Sequence, residues 1–200
     1  MNFLAHLYLS GSSADVRMGN FIGDFVKGAQ YGRYKPEVQR GILLHREIDS
    51  FTDTHPLVKE SVLLLKPVYG RYATVAIDLF FDHFLAKDWT QYSTQPLNEY
   101  VDEVHKQLLY RYFQLPTAVK QFLPFIIKSR RLEKYKEFDS LERSLEIMSN
   151  NSSLPACQVA AIQNLKDNYL VYNELFANFF KDVRKHVDDS NLRYEESGLV

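Results

Sequence analysis

The chain has 200 residues, of which 46% are hydrophobic and 24% are charged, and its formal net charge is −1 at pH 7. This length fits one domain, and the near-neutral charge favours neither a nucleic acid nor a membrane surface as a partner. The single cysteine excludes an internal disulfide and a zinc site built from several thiolates. No apolar run reaches the about 18 residues of a membrane span. We therefore expect a cytoplasmic protein.

Hydrophobic residues recur at helical spacing along most of the chain, whereas alternating strand-like runs are nearly absent. Pro36 and Pro56 stand where helices are predicted to begin, because the N–H that proline lacks would be unpaired there anyway. We predict an all-α, single-domain helical bundle over residues 1–200, with a polar loop at 148–155 and a frayed tail at 188–200. In chain order, the predicted helices include EVQRGILLHREIDSF, AIDLFFDHFLAKDW, VDEVHKQLLYRYF, LERSLEIM and one long helix, VAAIQNLKDNYLVYNELFANFFKDV.

Two of these predicted helices carry carboxylates and imidazoles among apolar residues. His45 and Asp49 are four residues apart, so on a helix they project from one face. Asp78 and Asp82 repeat this spacing on the later helix, and His83 is adjacent. A lone buried charge is costly, so each group needs a partner or a metal. Taken singly, each pair is more often a structural hydrogen bond, but together the two helices could hold a divalent cation.

Four sequence blocks follow one another within residues 1–89: MNFLAHLYLS, GNFIGDFVKG, GILLHREIDSFTDTHP and DLFFDHFLAKDW. Together they resemble the acyl carrier protein phosphodiesterase family, a divergent branch of the HD phosphohydrolases. The resemblance implies an HD-phosphohydrolase-like helical fold and hydrolysis of the phosphodiester between 4′-phosphopantetheine and a serine of holo-acyl carrier protein. It also implies a divalent cation, with Mn²⁺ preferred and Mg²⁺ or Fe²⁺ as alternatives.

The resemblance assigns roles to single residues of this chain. The acid of the second block, the histidine of the third and the Asp-His doublet of the fourth would be metal ligands. A histidine would donate a proton to the leaving serine, and further acids would ligate the metal or orient its ligands. The expected metal ligands are Asp24, His45, Asp82 and His83, the expected catalytic residues are His6, Asp49 and His55, and Asp78 is expected to orient Asp82 or His83.

A basic segment lies between Thr117 and Lys136. It contains six cationic residues and one acid, Glu133, so its local charge is 6 − 1 = +5. Acyl carrier proteins are strongly acidic, so the resemblance implies that this segment docks the substrate by opposite charge. A solvated helix end explains the same pattern without a partner. The expected docking residues are Lys128, Arg130, Arg131 and Lys134.

The same residues fit two other functions. An HD-type hydrolase of a nucleotide or another small phosphoester would share the metal site but need no basic docking face. A non-catalytic helical binding module would use its acids and imidazoles only to fix a structural ion. Turnover of holo-carrier protein, with competition by free nucleotides, distinguishes the three.

Overall fold

A computed structural model describes residues 2–190. These residues form eleven α-helices and several short 3-10 turns, and none of the described residues belongs to a β-strand. The prediction of an all-α bundle is confirmed. No helix within this range is long and apolar enough to cross a membrane. Most of the predicted tail, residues 191–200, lies outside the described residues.

The first five helices contain the four sequence blocks, and the other six complete the bundle. The former are α1 (Phe3–Leu9), α2 (Ala14–Phe21), α3 (Pro36–Thr54), α4 (Pro56–Tyr69) and α5 (Ala73–Lys87). The latter are α6 (Leu97–Tyr110), α7 (Thr117–Ser129), α8 (Arg131–Lys134), α9 (Phe138–Asn151), α10 (Gln158–Asp167) and α11 (Tyr169–Asp189). Pro36 and Pro56 open α3 and α4, as predicted.

Two predicted boundaries differ from the structure. The predicted loop at 148–155 begins only after α9 ends at Asn151. The predicted long last helix is two helices, α10 and α11, because the chain turns at Asn168. The side-chain amide of Asn168 donates a hydrogen bond to the backbone carbonyl of Asn164 at 3.0 Å. Such side-chain bonds to the backbone compete with helix continuation, which is why the apolar pattern alone did not show the break.

Helix α5 lies at the centre of the hydrophobic core. Eleven of its fifteen residues are buried, and a helix buried on most of its faces is surrounded by other elements. Leu79, Phe80 and Phe84 are fully buried, as predicted. One core cluster collects side chains from Leu4 in α1 to Val187 in α11.

Helices α2 and α3 touch through their backbones at two glycines. A Cβ atom at Gly19 would lie 2.1 Å from the carbonyl oxygen of Val38, and one at Gly41 would lie 2.1 Å from that of Val16. Only a residue without a side chain fits at either position. This close packing holds α3 against the short turn Gly23–Phe25 that follows α2.

Candidate metal centre

His6 of α1 approaches His45 and Asp49 of α3, so that one potential ligand atom from each lies within 4.8 Å of the others. His6 Nε2 is 3.2 Å from Asp49 Oδ1, and His45 Nε2 is 3.0 Å from Asp49 Oδ2. One carboxylate therefore faces both imidazoles. The two rings stack with their centroids 4.2 Å apart, and both histidines are buried. The structure thus contains a possible His-His-Asp metal site.

Asp24 extends this group at its solvent-facing edge. Its Oδ1 atom is 3.3 Å from His45 Nε2, and its side chain is 66% exposed. We call His6, His45, Asp49 and Asp24 the cluster. The turn that carries Asp24 lies directly over the His45 ring, since a Cβ atom at Gly23 would be 2.3 Å from His45 Cγ. Glycine is needed there because any side chain would displace the imidazole.

The protonation of His6 is fixed by Asn20. The Asn20 side-chain nitrogen donates to the His6 carbonyl and to Ser10 Oγ, each at 2.9 Å, so its oxygen must face His6 Nδ1 at 2.8 Å. Nδ1 therefore carries the proton, and the Nε2 lone pair points toward Asp49. Burial, together with the nearby charge of His45, lowers the pKa of His6 to about 4 despite the opposing effect of Asp49, so the ring is neutral near pH 7.

This arrangement leaves two lone pairs facing each other across 3.2 Å. The buried Nε2 atom of His6 has no hydrogen-bond partner of acceptable geometry, although Asp49 is close. A cation between the two groups would satisfy both of them, because imidazole nitrogen and carboxylate oxygen are common metal ligands. The residues present therefore fit a divalent metal.

The electrostatics of the cluster also favour bound positive charge. Burial lowers the pKa of His45, but the nearby carboxylates of Asp24 and Asp49 outweigh that effect and raise it to about 9. Burial acts to raise the pKa of Asp49, yet the close contacts with His45 and His6 hold it well below its usual range. Asp49 is thus ionised near neutral pH. A site that retains a proton on His45 so strongly can exchange that proton for a metal ion.

Asp82, which we expected to ligate the metal, has a different role in the structure. Its two carboxylate oxygens accept hydrogen bonds from the backbone N–H groups of Leu4 at 2.8 Å and Ala5 at 3.0 Å. These amides lie in the first turn of α1, where they have no partner within the helix. The carboxylate is fully buried, and burial raises its pKa to about 7 despite those bonds. The structure does not bring Asp82 into the cluster, and its role as a ligand stays a prediction.

His83 is also held away from the cluster. Its Nδ1 atom donates to the carbonyl of Tyr135 at 2.9 Å, and its Nε2 atom accepts from the hydroxyl of Tyr169 at 3.1 Å. Burial lowers the pKa of the ring, so the neutral form fits this pair of bonds. Since both nitrogens are used, His83 has no lone pair left for a metal. Its role as a ligand likewise stays a prediction.

Asp78 and His55, the remaining predicted site residues, lie outside the cluster. Burial raises the pKa of Asp78, and the charges of Asp49 and Asp53 add to that effect, which places Asp78 close to α3. His55 caps the first turn of α4, and its Nε2 atom is 3.5 Å from Asp182 Oδ2. The structure therefore does not bring His55 into the cluster as a proton donor.

The predicted docking segment is partly neutralised by the fold. Arg130 forms ion pairs with Asp102 and Glu133. Arg131 is half-buried and donates a hydrogen bond to Ser144 Oγ at 3.0 Å. The exposed cations of this segment that take part in none of these pairs are Lys128, Lys134 and Lys136.

Sequence reasoning missed Asn20 and Gly23, which position the two histidines. Both residues belong to the block GNFIGDFVKG, where only Asp24 drew attention. A buried asparagine and a glycine directly before an acid were visible signals, but their partners lie on other elements. His6 was expected to donate a proton, whereas the structure places it among the potential ligands.

The fold and the cluster together define an all-helical protein with a possible metal site made of histidines and carboxylates. A family model described as acyl carrier protein phosphodiesterase matches residues 1–183, so the chain belongs to that family. The family name describes a phosphodiesterase, which places the chain among the hydrolases.

Relatives named acyl carrier protein phosphodiesterase match nearly the whole chain. The Yersinia pestis protein is 30% identical over 193 residues, which cover 96% of this chain and 100% of the relative. The protein of Enterobacter sp. strain 638 is 33% identical over 181 residues, which cover 90% of this chain and 94% of the relative. No solved structure matches the chain.

Proposed function

We propose that this chain hydrolyses the phosphodiester between 4′-phosphopantetheine and a serine of holo-acyl carrier protein, with a divalent metal held by the four residues of the cluster. Family membership supports the reaction. The observation that carries the metal is the unpaired, buried Nε2 atom of His6, which faces the Asp49 carboxylate. Two imidazoles and two carboxylates without a thiolate suit Mn²⁺, with Mg²⁺ or Fe²⁺ as alternatives.

Hydrolysis of a phosphodiester requires stabilisation of the negative charge on the phosphate. A divalent ion, when bound, lowers the pKa of water and neutralises the charge of the phosphate. The residues of the chain keep the site ready for it: Asn20 holds the tautomer of His6, and Gly23 leaves room for the His45 ring. Asp24 lies at the exposed edge, so the phosphate and the attacking water must approach from its side.

The reaction is a simple displacement at phosphorus. A water oxygen bonds to phosphorus, and the bond from phosphorus to the serine oxygen breaks. Water gives up a proton and the serine oxygen gains one, which yields apo-carrier protein and 4′-phosphopantetheine. The phosphate thus stays with the pantetheine arm, which needs its own place beside the cluster.

An apolar groove of about 330 Å³ provides that place. Its lining includes Phe25, which directly follows Asp24, and Phe3, which precedes His6 by three residues. Phe122 and Phe125 of α7 line the same groove. The mainly apolar walls with a few polar groups fit a long, thin, weakly polar chain.

The proposal is tested by incubating the purified protein with holo-carrier protein and Mn²⁺ and following the mass of the carrier protein. The expected result is loss of the phosphopantetheine mass, abolished by a chelator and restored by Mn²⁺. Strong inhibition by free nucleotides that are themselves hydrolysed would favour a nucleotide phosphohydrolase. Bound metal without turnover of any phosphodiester would favour the structural-ion module.

A further inference from the structure

A second groove, with a larger volume of about 720 Å³, runs along α4 to the start of α5. Its lining begins at Asp53, which lies one turn after Asp49 on α3. One helical turn advances by about 5–6 Å, so this groove starts next to the cluster. It is separate from the apolar groove, whose lining shares none of its residues.

The charge of this groove is positive. Lys59, Lys66 and Arg71 line it and are exposed, and Asp53 is the one acid among the described residues of its lining. Between described residues, no ion pair involves any of these three cations. They differ in this respect from Arg130, whose charge is met by two carboxylates. Positive charge is therefore available to a partner here.

A large apolar side chain lies among these cations. Leu63 is 62% exposed, and it stands four residues after Lys59 and three before Lys66, so all three share one face of α4. We call Lys59, Leu63, Lys66 and Arg71 the α4 face. An exposed leucine within a rim of unpaired charge is typical of a protein-binding surface.

We propose that the α4 face docks an acidic protein surface, which for this chain is that of the carrier protein. The inference rests on the proposed function. The serine of the substrate must reach the cluster, so the protein around that serine must contact the enzyme beside it. The α4 face meets this need because its groove starts one turn from Asp49, while the pantetheine arm leaves through the apolar groove at Phe25. Leu63 would add an apolar contact at the centre of the opposite charges.

The test compares two triple variants with the same change in charge. One is Lys59→Glu, Lys66→Glu, Arg71→Glu, and the matched control reverses the exposed cations of the predicted segment, Lys128→Glu, Lys134→Glu and Lys136→Glu. We expect the first to raise the KM for holo-carrier protein by about tenfold or more with little change in kcat, and the second to raise it far less. The increase should diminish as salt rises, because salt screens the charges that the variant removes.

Two further measurements complete the test. Hydrolysis of bis(p-nitrophenyl) phosphate, a small phosphodiester that needs no docking, should be equal in both variants and in the wild type. Binding of apo-carrier protein, measured by calorimetry, should weaken only in the α4-face variant, which tests docking without turnover. If circular dichroism shows that the charge-reversed protein does not fold, it is replaced by the triple variant Lys59→Gln, Lys66→Gln, Arg71→Gln. We then expect a smaller rise in KM and a smaller loss of binding.

An equal rise in KM for both triple variants, or a rise only in the control, would overturn the proposal. Normal binding of apo-carrier protein by the α4-face variant would overturn it too. A wild type that binds carrier protein through the α4 face but never cleaves it would instead remove the proposed function and leave the docking surface in place.

Discussion

Two pairs of acid and imidazole in this molecule look alike in sequence and differ in structure. His45 and Asp49 on α3 meet each other and His6, and the Nε2 atoms of both histidines lack a hydrogen bond of good geometry. Asp82 and His83 on α5 are more deeply buried, but their polar atoms are bonded to the backbone or to a tyrosine hydroxyl. Burial alone therefore does not mark a metal site. Buried imidazole nitrogens that lack a hydrogen bond of good geometry are the feature that indicates one.

The largest effect that this comparison predicts is at Asp49. In Asp49→Asn, the carboxylate loses its charge and one of its oxygens becomes an amide nitrogen, which does not bind metal. The ion then loses the carboxylate that faces both imidazoles. We expect Mn²⁺ binding to disappear and turnover of holo-carrier protein to fall more than about 100-fold, with the helical circular dichroism spectrum unchanged. Glu47→Gln, on the same helix, is the matched control and should retain both. Near-normal turnover in Asp49→Asn would place the metal elsewhere.

The opposite behaviour is expected at Asp82. In Asp82→Ala, two buried N–H groups at the start of α1 lose their acceptor, at a cost of about 1–3 kcal/mol each. Urea unfolding should show this loss of stability, while Mn²⁺ bound per folded molecule stays near the wild-type value. Asp82→Asn keeps one acceptor oxygen and should lose less stability. A stable Asp82→Ala protein that no longer binds Mn²⁺ would show that Asp82 is a ligand.

These two residues also show how far the sequence alone reaches. The facing of His45 and Asp49 follows from their spacing on one helix, and the all-α fold follows from apolar periodicity, so both were predictable. The partners of Asp82 lie 77 and 78 residues earlier in the chain, on a different helix. No local pattern contains that information. The block DLFFDHFLAKDW shows that Asp82 and His83 are adjacent in sequence. The packing of other helices against α5 determines which groups they contact.

The same reasoning applies to the basic segment between Thr117 and Lys136. Arg130 and Glu133 are close in sequence, but Asp102, the second partner of Arg130, comes from α6. Counting charges along α7 and α8 could not detect that pair. Lys59 and Lys66 are seven residues apart in sequence and share one face only when α4 is formed.

A smaller effect is predicted at the turn that covers His45. In Gly23→Ala, the new Cβ would overlap the imidazole, so the ring and its Nε2 atom must shift. A displacement of a catalytic group by about 1 Å costs on the order of 100-fold in rate, and we expect a loss of that size. Gly32→Ala, where nothing lies within 4 Å of the new atom, is the matched control and should behave as the wild type. Equal activity of the two variants would show that His45 is not a ligand.

The smallest expected effect is at Asn20. Asn20→Ala frees His6 Nδ1 from its acceptor, so the tautomer that aims the Nε2 lone pair at Asp49 is no longer enforced. Loss of such a supporting hydrogen bond lowers metal affinity by about tenfold or somewhat more. Mn²⁺ titration by calorimetry measures this change. Asn20→Asp keeps an acceptor for Nδ1–H and should bind Mn²⁺ more tightly than Asn20→Ala; the reverse order would indicate that Asn20 acts only through packing.

The comparison between the two pairs is tested most directly by anomalous diffraction from crystals grown with Mn²⁺. The account predicts an anomalous peak within coordination distance of His6 Nε2, His45 Nε2 and Asp49, with Asp24 at its open side and no peak at Asp82 or His83. A peak bonded to Asp82 or His83, or an empty cluster in crystals of protein that is active with Mn²⁺, would contradict it.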